Sequence, residues 1–197
     1  AQLARPVDRR HQPRRGALSG FLRHHTVEIV RSQRTLCDGI VGRPDNHESV
    51  KDGVWRISVG DSAEAWAKVI GKLLAGKHAV DRLVIDMREI RAAGERLGNY
   101  GWISSGDAQL AVSIEKLCAI MNAKRDQLLS RIDILDIMNL LGETLSSRRS
   151  AQIALVPSDD YEADAFAMAK KDCWTNGKSH RGQSNNSLLL MSKPTKA

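Results

Sequence analysis

Three stretches of this sequence combine residue types that bind phosphate or read a polar ligand edge. The first is Ser104-Ser105-Gly106, which closes a glycine-rich run from Gly94 and leads into an apolar helical pattern. Free amides at such a helix start hold anions, although a serine there also serves simply as a cap. It is neither a Walker sequence, since Asp107 follows Gly106, nor a GxGxxG fingerprint. The second is Arg148-Arg149-Ser150, directly before an apolar run, where paired guanidiniums can meet a triphosphate or a base edge. Arginines in a loop are more often solvated. The third is Gln183-Ser184-Asn185-Asn186-Ser187, whose consecutive amides could read a ligand edge or merely form a turn.

Other groups carry less. His47, His78 and His180 are isolated, and Cys37, Cys118 and Cys173 form neither a CxxC pair nor a set with metal-ligand spacing, so reduced thiols and no metal site are expected. Asp133 and Asp136 lie three apart on one helix pattern and read as a polar face.

The elements that must position these residues are those of a globular chain. Of 197 residues, 42% are hydrophobic and 27% charged, which excludes collagen-like and wholly disordered classes. Neither a membrane-length apolar run nor a signal peptide is visible, so a cytoplasmic protein without a membrane partner is expected. The net charge is +7, and residues 1–36, with eight arginines against Asp8 and Glu28, hold +6 of it. That leader reads as a mobile basic arm. Nucleic-acid binding through it is the competing functional class, weakened by the scarcity of aromatics, since Phe21 is alone there.

Residues 37–52 read as a linker rich in turn formers, and 53–197 as the ordered body. Val54 to Val59 alternates as a half-buried strand. A helix capped by Asp61 or Ser62 carries Trp66, Val69, Ile70, Leu73 and Leu74 on one stripe as far as Gly76, and Leu83 to Met87 is a second strand. These form a βαβ unit. Helices are expected over 107–122, with Leu110, Ile114, Leu117, Cys118 and Met121 inward, and over 132–145, with Ile134, Ile137, Met138, Leu141 and Leu145 inward. A strand over 152–156, a helix over 161–171 and a strand over 187–191 complete an α/β pattern with a parallel sheet. The last strand ends near the C-terminus, as in a barrel that stops before closing.

Read in order, several segments resemble the adenosylcobalamin-dependent (class II) ribonucleoside-triphosphate reductases. They are Val59-Gly60-Asp61-Ser62-Ala63-Glu64-Ala65-Trp66, Ile90-Arg91-Ala92-Ala93-Gly94-Glu95-Arg96-Leu97, Ser104-Ser105-Gly106, Leu135-Asp136-Ile137-Met138, Arg148-Arg149-Ser150-Ala151-Gln152-Ile153-Ala154-Leu155 and Ser184-Asn185-Asn186-Ser187. The resemblance implies part of a ten-stranded α/β barrel. It implies reduction of ribonucleoside triphosphates to deoxyribonucleotides, the precursors of DNA, by a thiyl radical that adenosylcobalamin generates. It also implies a deoxynucleotide effector and a thioredoxin-like reductant. Arg148, Arg149 and Ser150, with Arg96, Ser104, Ser105 and Gly106, become candidates for nucleotide or effector contact, and Asn185 and Asn186 for the substrate side. Two departures are local: Asp107 stands where the family has proline, and Thr144-Leu145-Ser146-Ser147 replaces a Gly-Asn-Val type lead. The family's Asn-Pro-Cys-x-Glu segment and its cobalamin-binding portion have no counterpart, so the chain is expected to be an internal piece, inactive alone, with no catalytic residue of its own. A non-catalytic nucleotide-sensing module is the remaining alternative.

Overall fold

The alternation Val54-Trp55-Arg56-Ile57-Ser58 buries Trp55 and Ile57 completely and leaves Arg56 exposed, as period-two side chains on a half-covered sheet require. The structure, a computed structural model, describes residues 26–34, 42–96, 103–125, 127–144 and 152–193. Strands β1 (Thr26–Val30), β2 (His47–Lys51) and β3 (Val54–Ser58) precede helix α1 (Ala63–Ala75) and strand β4 (Arg82–Asp86). Helices α2 (Gly106–Ala123) and α3 (Arg131–Thr144), strand β5 (Gln152–Pro157), short helix α4 (Ala163–Ala167), a 3-10 turn (Ser179–Gln183) and strand β6 (Ser184–Leu189) follow.

The expected βαβ unit is present. The Ser62 hydroxyl accepts from the Ala65 amide to start α1, Gly76 closes it, and β4 pairs parallel with β3. Strand order is β1-β4-β3-β2. By register Val27, Leu83 and Trp55 share one face, as do Ile29, Ile85 and Ile57, and on that face α1 and α2 close a single core. All five residues expected inward on α2 are buried. Burial also pushes the Cys118 thiol up to about 12, with Glu115 adding to the effect, so this cysteine is core rather than nucleophile.

Several expectations give way. The sheet is mixed: β2 runs antiparallel to β3 because Asp52-Gly53, both at positive φ (49° and 72°), make a two-residue turn whose twist matches a hairpin. Part of the presumed linker is therefore strand. β5 and β6 pair parallel in a separate two-stranded sheet, so the described residues form part of an α/β arrangement and no closed barrel. Helix α3 turns Leu135, Ile137 and Leu140 inward and leaves Ile134 and Met138 exposed, because its buried side also holds Asp136 and Asn139. α4 is much shorter than the apolar spacing suggests, and β6 begins three residues earlier.

The basic leader is not uniform either. Thr26–Val30 is the edge strand β1, parallel to β4, with Val27 and Ile29 packed on the core. Residues 1–25 lie outside the described residues. Deletion of residues 1–36 is accordingly expected to cost stability, on the order of 2 kcal/mol from two half-buried aliphatics and a lost ladder, measured as a lower urea midpoint.

Candidate functional site

The loop after β4 is built from its base upward. Asp61, its carboxylate fully buried, accepts from the Arg91 guanidinium at 3.0 Å through both oxygens and from the Arg91 amide at 3.1 Å. The other arm of Arg91 donates to the Arg96 carbonyl. Arg91 thereby pins the loop to the β3–α1 turn. The Gly94 amide donates to the Ser104 carbonyl at 2.9 Å and the Ser104 amide to the Glu95 carbonyl at 2.7 Å; with the bridge between Arg96 and Ile103, these hold the two ends of the loop together. Arg96 stands exposed at its base.

Ser104, Ser105 and Gly106 then turn the chain into α2. The buried Ser104 hydroxyl accepts from the Gly106 amide at 3.0 Å, which makes it a local brace. Gly106 sits at φ 69°, and a Cβ there would come within 2.9 Å of the Ala93 nitrogen, so only glycine fits. Ser105 makes no side-chain cap; its hydroxyl donates to the Thr144 carbonyl at 3.4 Å, at the end of α3. The positive end of α2 is answered internally: Asp107 accepts from the Ser32 amide and from Arg31 Nε, both at 2.7 Å.

Arg148, Arg149 and Ser150 lie outside the described residues. Their flanks do not: α3 ends at Thr144, beside Ser105, and β5 begins at Gln152, opposite Ser184 of β6. The fold thus brings Ser105 to the end of α3 on one side of the double-arginine segment, and the start of β5 to Ser184 of β6 on the other. Asn185 and Asn186 do not act as a pair, because adjacent strand residues face opposite sides of the sheet. Asn185 is exposed, on the face of Ile153, while Asn186 lies beside Ala154. The Asn186 Oδ1 accepts from the Ser184 hydroxyl at 2.8 Å, and its Nδ2 is buried with no partner among the described residues.

A cluster that sequence reasoning missed holds this strand start in place. Arg181 clamps Asp136 of α3 bidentately, at 2.5 and 2.6 Å, and donates to the Ala169 carbonyl at 2.6 Å, while His180 Nε2 lies 3.0 Å from the same carboxylate. All three side chains are nearly buried. Burial raises the Asp136 carboxyl, but the bonds from Arg181 and His180 outweigh it and leave it lowered to about 2. Lys170 adds a bond to the Ser184 carbonyl. Nothing local in the sequence links residues 45 positions apart; the only hint is an aspartate on the apolar side of α3.

No protein-family model matches the chain. It is 30% identical over 179 residues to the adenosylcobalamin-dependent ribonucleoside-triphosphate reductase of Lacticaseibacillus paracasei, covering 84% of this chain and 23% of that protein. The corresponding reductase of Lactobacillus acidophilus is 28% identical over 183 residues, covering 85% of this chain and 24% of the relative. Among solved structures, a B12-dependent (class II) ribonucleotide reductase superposes with a TM-score of 0.61 at 24% identity, covering 82% of this chain and 23% of that one, which supports the fold. The chain is a homologue of the adenosylcobalamin-dependent ribonucleoside-triphosphate reductases, oxidoreductases of deoxyribonucleotide synthesis. It spans about a quarter of the length of the curated relatives it matches. No helix among the described residues is long and apolar enough to cross a membrane.

Proposed function

We propose that this chain is a nucleotide-responsive section of a cytoplasmic ribonucleoside-triphosphate reductase. Arg148, Arg149 and Ser150 contact the phosphates or base of a deoxynucleotide effector. Arg96 supplies a further cation, and Ser104, Ser105 and Gly106 shape the wall. The unpartnered Asn186 amide and the exposed Asn185 serve the side of the ribonucleoside triphosphate substrate. The observation that carries this reading is the Ser105 bond to Thr144, which draws two distant segments to one place.

Adenosylcobalamin, with its corrin ring, adenosyl group and nucleotide tail, does not fit the described residues. None of the four clefts of about 290 to 470 Å3 lined by described residues encloses a space of that size. Cys118 and Cys173, the cysteines among the described residues, are buried, and Cys37 lies outside them. Radical generation and reduction by a thioredoxin-like partner are therefore assigned to other parts of a reductase, and this chain binds and orients nucleotides.

Calorimetric titration of dATP and dGTP into the full chain tests the reading. Saturable binding that persists at raised salt and depends on the base is expected. Binding that falls steeply with salt, matches that of any polyanion and disappears on removal of residues 1–25 would instead identify an electrostatic nucleic-acid binder.

A further inference from the structure

Among the described residues, helices cover the four-stranded sheet on one face only. On the other, the register aligns Ser49 with Arg56 and Lys51 with Val54 across β2 and β3, and Arg82 with Val54 and Val84 with Arg56 across β3 and β4. These six residues, with Asp52, line a concave cleft of about 320 Å3. Val84 forms its floor, fully buried yet outside the helix-covered core cluster.

The cleft holds Lys51, Arg56 and Arg82 against Asp52 and the Glu28 that pairs with Arg82, an excess of one positive charge. Arg82 is paired with Glu28 of β1. Among the described residues, Lys51 and Arg56 make no ion pair, and Asp86, the acid whose field Arg56 shares, is already clamped by Arg88. Lys51 and Arg56 are diagonal neighbours across β2 and β3 and repel one another, a cost that a bound anion removes. Lys51 and Arg82 stand two strand spacings apart, roughly 10 Å between backbones. That width suits a chain of phosphates better than one. Guanidinium forks, a flexible ammonium and the Ser49 hydroxyl are the donors that phosphate oxygens accept from.

We propose that this cleft is a polyphosphate site, taking either a free polyphosphate or the triphosphate of a nucleotide. It lies at the N-terminal ends of β3 and β4, whereas the loop cluster follows the C-terminal end of β4. The two sites are therefore separate, and the second stands without the first.

Titration of inorganic tripolyphosphate, ATP and orthophosphate into the full chain tests it. Tripolyphosphate should bind at least about tenfold more tightly than orthophosphate and raise the thermal midpoint. Lys51→Gln with Arg56→Gln should weaken tripolyphosphate by about tenfold or more without lowering the midpoint of the free protein. Arg148→Gln with Arg149→Gln, and Arg9→Gln with Arg10→Gln, should leave it unchanged, which separates this site from the effector reading and from the basic leader. Equal affinity for ATP means that the phosphates alone are read, and tighter ATP that the occupant is a nucleotide. Unchanged affinity in the Lys51/Arg56 variant, affinity that follows Arg9 and Arg10, or absence of binding would overturn the proposal.

Discussion

Replacing Arg181 with methionine is expected to destabilise the protein by about 3–5 kcal/mol, because the change leaves the Asp136 carboxylate buried without its main partner. The guanidinium contributes two charge-assisted bonds to Asp136 and a third to the Ala169 carbonyl, and His180 alone cannot replace them. A paired change, Asp136→Leu with Arg181→Met, should recover much of the loss, since removing both partners of a buried ion pair costs far less than removing one. Urea unfolding of the three proteins at neutral pH measures this. The same cluster fixes a pH dependence. The Asp136 carboxyl lies at about 2 against an ordinary 3.8, so the folded form holds its proton less tightly than the unfolded one. Its stabilisation is fully present above about pH 5 and fades as pH falls through 4 toward 2, a loss of about 2 kcal/mol. Much of that acid sensitivity should disappear in the Asp136→Leu, Arg181→Met protein; an unchanged profile would show that other carboxylates dominate.

The consequence for function is positional. Arg181 and His180 belong to the turn immediately before β6, so the clamp sets where Ser184, Asn185 and Asn186 enter their strand. Loosening it is expected to displace the start of β6 opposite Gln152.

What could be read in the sequence was what is local. Ser62 as a cap, the Trp66 to Leu73 stripe, the alternation about Trp55 and the inward face of α2 follow from spacing over one or two turns, and the structure has each of them. β1 escaped because Thr26–Val30 sits among arginines and gains its order only by pairing with β4, over fifty residues onward. The hairpin of β2 and β3 did have a local signal, Asp52-Gly53, between residues that alternate. On α3, the Ile134 and Met138 spacing suggested one face, but a buried aspartate that draws Arg181 to it decided for another. Of the candidate site, Ser104 to Gly106 could be located from sequence, whereas its closeness to the end of α3 is a tertiary fact.

The double replacement Arg148→Gln, Arg149→Gln is expected to weaken deoxynucleotide binding by at least about tenfold. If this segment meets a nucleotide, each guanidinium in contact contributes roughly 1.5–3 kcal/mol of charge-assisted bonding, and 1.4 kcal/mol is one decade of affinity. Glutamine keeps the segment polar. Thr144 and Gln152, which bound it, keep their places through the ends of α3 and β5, so stability should move by less than about 0.5 kcal/mol. The measurement is calorimetric titration of dATP and dGTP into the full chain and the double variant, with urea unfolding beside it. The Ser105 bond to Thr144 adds a second arm: Ser105→Ala leaves both arginines intact but removes the tie between the loop and α3. A several-fold weaker affinity is then expected, with no change in charge. Equal affinity in wild type and in the arginine variant would return Arg148 and Arg149 to solvent. It would also shift the effector reading to Arg96, at the loop base that Arg91 anchors.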